Sequence, residues 1–108
     1  MKPTKEQIKK FWEWCGLKVD GLDITLPDGT RHYWKSFLTL NNLFQYAVPK
    51  LIELNYSFDI WNGSHQMISL IDEWGVQLSL PTRVFHTEIQ ETLALALFWA
   101  INKAIEEE

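Results

Sequence analysis

The side chains best suited to bind a soft metal in this 108-residue chain are His32, His65, His86 and Cys15. No two of them stand three or four residues apart, and no Cys-x-x-C pair exists. Metal sites normally need such local pairs to fix two ligands on one element. The sequence therefore gives no reason to expect a metal or any other cofactor. Nucleophilic chemistry has equally little support. Cys15 falls on the apolar side of a predicted helix, where a thiol is usually buried and inert. The serines lack the strand-turn-helix context of a nucleophile elbow. Asp72-Glu73 sits at a predicted turn, which favours solvated carboxylates over an acid–base pair, and the five glycines follow no phosphate-cradling pattern. No catalytic residue is assigned, and the expectation is a protein that is not an enzyme. An enzyme would need a cleft that gathers His65, Asp59 and a further polar group.

Binding is the better-supported chemistry. Arg31-His32-Tyr33-Trp34-Lys35 interleaves basic and aromatic residues, as single-strand nucleic-acid binders do. Arg31, Tyr33 and Lys35 are the candidate contacts under that alternative. Only two firm charges lie in the run, however, and an amphipathic edge strand explains it as well. The net charge of −4 also argues against a dedicated nucleic-acid binder. Six tryptophans are many for one small core. Trp12 and Trp14 point in different directions on one helix, so at least one is predicted to be partly exposed. Exposed aromatics are enriched at protein interfaces. Trp14, Trp34, Trp61 and Trp99 are the candidate protein-contact residues, for another protein or for a second copy in a homodimer.

These residues must be held by a core. Hydrophobic residues make up 46% of the chain and charged residues 22%, within the range of a folded globule. The length predicts a single globular α+β domain over residues 1–108. With Cys15 alone, no internal disulfide can form, which suits a reducing cytoplasm. No signal-peptide pattern opens the chain. The longest apolar run, Leu93 to Ile101, is far short of the about 20 residues that span a bilayer.

Thr4 with Gln7 reads as a capping box, and Gly16 as a helix stop, giving a first helix over about 4–15. Ile8, Phe11, Trp12 and Cys15 form its apolar face. Leu22, Ile24 and Leu26 alternate with polar residues, and Pro27-Asp28-Gly29 turns the chain back through Thr30 to Trp34. A middle helix is predicted over about 40–54, capped at Thr39, Asn41 or Asn42 and kinked or broken by Pro49. A central hairpin is predicted over about 56–71, turning at Asn62-Gly63. Placing Phe58 opposite Ile68 and Tyr56 opposite Leu70 collects its apolar side chains, leaving Asp59, Trp61, His65 and Met67 on the other face. Val76 to Leu80 forms a third strand. A last helix over about 87–105 is capped by His86 or Thr87, with Glu88 and Glu91 favoured in its first turns. Leu93 to Ile101 is apolar nearly all round. Something beyond the sheet must cover it: the first or middle helix, or a second copy.

The order of these features resembles the phage αβα-sandwich domain family of small phage and prophage proteins. Three stretches carry the likeness: Ser36-Phe37-Leu38-Thr39-Leu40-Asn41-Asn42-Leu43-Phe44, then Phe58-Asp59-Ile60-Trp61-Asn62-Gly63 with Met67-Ile68-Ser69, then Ala94-Leu95-Ala96-Leu97-Phe98-Trp99-Ala100-Ile101. The hairpin at Leu22 to Trp34 and the internal Pro49 depart from the family pattern. The resemblance implies a small antiparallel sheet packed with helices, a phage or prophage origin and a host-cell cytoplasmic location. It implies no activity. The functional expectation is a non-enzymatic protein-binding or assembly module.

Overall fold

A capping box opens the first helix. Thr4 Oγ1 accepts from the Gln7 amide at 3.2 Å, and Gln7 Oε1 accepts from the Thr4 amide at 2.9 Å. In a computed structural model describing residues 2–62, 74–81 and 85–106, α1 runs Lys5–Trp14 and buries Ile8, Phe11 and Trp12. It ends in a Schellman motif. Gly16, at φ +92°, donates to Glu13 O, and Leu17 donates to Trp12 O, both at 3.0 Å. Only glycine takes that φ without steric cost. The same device ends the middle helix, with Asn55 at φ +68° and Tyr56 N donating to Leu51 O at 2.9 Å.

Three short antiparallel strands follow in the order β1 (Lys18–Asp20), β2 (Asp23–Thr25), β3 (Arg31–Tyr33). The β2–β3 hairpin matches the sequence expectation, pairing Ile24 with His32. Asp28 accepts from the Thr30 amide at 2.9 Å and from its hydroxyl at 2.5 Å; these bonds hold the carboxyl below its ordinary pKa. Strand β1 was not foreseen. It contributes Val19, which joins Ile24 in the core.

After the single turn α2 (Trp34–Phe37), Thr39 caps the middle helix through the Asn42 amide. The chain stays helical through α3 (Leu40–Asn42), a π-helical turn (Leu43–Ala47) and α4 (Val48–Glu53). Pro49 causes this. A proline inside an α-helix lacks the donor for residue i−4 and clashes with that carbonyl. The widened turn, in which Val48 N donates to Leu43 O, takes up the misfit without ending the helix.

The second sheet has the order β4 (Ser57–Asn62), β5 (Trp74–Ser79), β6 (Phe85–Gln90). The strand expected at residues 65–71 and its register with Phe58 lie outside the described residues. The neighbour observed on β4 is β5, with Phe58 opposite Leu78 and Ile60 opposite Val76. Residues 87–90 are a correction to the sequence reading. They are the end of a strand, pairing Val76 with Glu88 and Leu78 with His86. The last helix, α5, is Leu93–Glu106, and its cap is Thr92, whose Oγ1 accepts from the Leu95 amide at 3.2 Å. Strand β6 was hard to recognise because its core-facing residues are polar. His86 is buried, and Glu88 and Gln90 are half-buried, while Ile89 points outward and is 52% exposed. Glu88 is held by Lys103 of α5 at 2.6 Å and by Gln90 at 2.8 Å. A strand whose inner face is polar carries none of the usual apolar alternation.

Helix α5 lies between two sides of the molecule. It packs on β5 and β6 along one side and meets α1 and the π-turn on another. Phe98 touches Phe11 with ring centroids 4.7 Å apart. Ala96, Leu97, Phe98, Ala100 and Ile101 are all fully buried. The cover required for Leu93 to Ile101 is therefore supplied by the chain's own first and middle helices. The result is an α+β fold of helices and two small antiparallel sheets.

Candidate binding cleft

Trp34 stands where β3 passes into α2. Its amide donates to Leu22 O at 3.0 Å, and Ser36 Oγ donates to Tyr33 O at 3.2 Å, so both ends of the junction are tied. The indole is half-buried beside a cleft of about 450 Å³ lined by Lys2, Pro3, Ile8, Trp34, Lys35, Leu38 and Leu95. That volume is within the range of small-ligand pockets. Three helices and the segment before α1 build it. Ile8 comes from the apolar face of α1, Leu95 from the capped first turn of α5, and Leu38 from the residue after α2.

The lining divides by chemistry. Ile8, Leu38, Leu95, Pro3 and the Trp34 ring give an apolar floor. Lys2 and Lys35 are exposed, and neither forms an ion pair among the described residues. The Lys35 ammonium lies 5.6 Å from the Trp34 ring centroid, a cation–π distance. Trp34 Nε1 is buried and has no hydrogen-bond partner among the described residues. An unsatisfied buried donor costs about 1–3 kcal/mol. Every polar side-chain group in the lining is a donor.

The other sequence candidates are dispersed. Trp14 is half-buried under the Lys50 ammonium, 4.8 Å from the ring centroid, and Lys50 also donates to Trp14 O at 2.5 Å. Trp61 lies on the outer face of the second sheet, across Gly75. Trp99, expected at a contact surface, is in the core instead, 7% exposed and edge-on to Phe98. Residues 96–102 of α5 are buried on every side, which leaves it no open face. Arg31 and Tyr33 are exposed on β3, but their cross-strand partners are Thr25 and Asp23, and Lys18 and Asp20 pair beside them at 3.6 Å. That face therefore mixes signs and forms no basic stripe. Lys35 turns away onto α2 and the cleft.

His32 lies tilted against Phe37, ring centroids 5.3 Å apart, and His86 is buried near Tyr56. Among the described residues no three His, Cys, Asp or Glu side chains come together as a metal site would need. His65 lies outside the described residues, as does its conjunction with Asp59. No helix among the described residues is long and apolar enough to cross a membrane.

Sequence reasoning found Trp34 and Lys35 but missed Lys2, Ile8, Leu38 and Leu95 as their neighbours. Leu95 carried the one available signal, since it lies off the main stripe of α5 and widens its apolar surface. Compared with protein-family models, curated proteins and solved structures, the chain finds no match.

Proposed function

We propose that this protein is a small, non-enzymatic binding module of phage or prophage origin that holds a segment of another protein in the Trp34 cleft. The origin rests on the family resemblance. The binding role rests on one observation: an aromatic ring and two exposed ammonium groups border an apolar floor open to solvent. Interface hot spots are enriched in Trp and cluster in pockets that a partner desolvates. The same cleft gives a use to Trp34 and Lys35 that needs no nucleic acid.

Selection of peptides from a random display library on the immobilised protein tests the reading. Enriched peptides should lose binding about tenfold or more to the Trp34→Ala and Leu38→Lys variants, in keeping with hot-spot truncations of at least about 1.4 kcal/mol. Circular dichroism identifies a variant that has failed to fold, and Leu38→Lys serves if Trp34→Ala does. Peptides that bind the folded variants as well as the parent, or no enrichment at all, would contradict the proposal.

A further inference from the structure

We infer that the segment held in the Trp34 cleft is acidic as well as apolar, with an aliphatic or aromatic side chain flanked by carboxylates. This rests on the reading of the cleft as a protein-binding site and adds its specificity. The argument is the donor-only lining. Lys2 and Lys35 offer ammonium groups, while Pro3, Ile8, Leu38 and Leu95 offer no polar side-chain atom at all. A ligand must bring acceptors for the two ammonium groups, and it must be negative to match two cations that lack ion-pair partners among the described residues. Ammonium–carboxylate bonds are charge-assisted and stronger than neutral ones.

Charge distribution across the molecule points the same way. Residues 1–35 carry seven basic and five acidic residues, a net +2, whereas the whole chain is at −4. An acidic segment meets two ammonium groups at this rim, which is how charge complementarity gives specificity. A peptide fits better than a free anion. The apolar floor rewards a side chain, and the rim rewards its flanking carboxylates.

Fluorescence anisotropy with labelled synthetic peptides is the test. The first peptide carries Leu and Phe flanked by Asp and Glu, the second replaces the acids by Asn and Gln, and the third by Lys. Two rim pairs, each modest because exposed, predict the acidic peptide to bind about threefold to tenfold tighter than its amide counterpart. The margin should shrink in 0.5 M salt, where the Debye length is only a few ångströms. The Lys2→Glu/Lys35→Glu double variant changes two exposed positions and should come to favour the Lys peptide. Equal binding of the acidic and amide peptides, with no change in the double variant, overturns the acidic specificity while leaving peptide binding in place. Failure of all three peptides, together with failure of library selection, overturns the cleft reading itself. Binding to anionic phospholipid vesicles in preference to the acidic peptide also overturns the inference.

Discussion

Cys15 shows how far one residue's surroundings decide its chemistry. It caps the C-terminus of α1, and burial pushes its thiol up to about 12, the Lys50 ammonium offsetting only part of the effect. The thiolate is the reactive form, so the folded protein should resist alkylation at pH 8 by a factor on the order of a hundred relative to the urea-unfolded chain. Iodoacetamide labelling followed by mass spectrometry measures this, and equal rates would contradict it. The linkage has a definite sign. Between the ordinary thiol pKa of 9.0 and the folded value of about 12, the unfolded chain has lost a proton that the folded chain keeps. Stability therefore falls as pH rises through that window, and Cys15→Ala should remove this slope. The half-burial of Cys15 was readable from its place on the apolar face, as were the roles of Thr4 and Gly16, because caps and helix stops depend on neighbours in sequence. The polar inner face of β6 was not readable, because what satisfies Glu88 is Lys103, on another element.

At the scale of elements, the second sheet makes the sharpest stability prediction. Gly75 on β5 lies beneath the Trp61 ring of β4, and a Cβ placed there would overlap that ring. Gly75→Ala should displace the indole, destabilising the domain by about 1–3 kcal/mol, the usual range for overpacking. Denaturant unfolding gives the loss, and a shift in tryptophan emission reports the moved ring; unchanged stability and emission would contradict the packing. The elements themselves were legible in proportion to how local their signals are. The hairpin at Pro27-Asp28-Gly29 and the strand at Val76 carry turn chemistry and alternation. Residues 87–90 were read as helix because two glutamates after a Thr imitate a helix entry, whereas ladder pairing with β5 decides the matter. Pro49 announced a disturbance, but its form depends on Leu43 and Ala47 packing in the core, which holds the helix together through a π-turn.

Taken as a whole molecule, the chain encloses its most apolar helix. The need to cover Leu93 to Ile101 was visible in the sequence; the choice between a second copy and the chain's own helices was not, because it depends on how α1 and the π-turn fold back. That covering has a functional consequence. With Phe98 packed against Phe11, the start of α5 places Leu95 beside Ile8, Leu38 and Trp34, and the cleft arises at the margin of the core. The cleft was invisible in the sequence because its lining comes from four separated segments. Trp34 is the proposed anchor of this cleft. The most direct measurement is a proton–nitrogen NMR titration of the tryptophan indoles with an acidic, apolar peptide. The Trp34 indole resonance should shift and saturate as its ring is covered, while that of the core residue Trp12 stays in place. Saturable binding that leaves Trp34 unmoved would contradict that role.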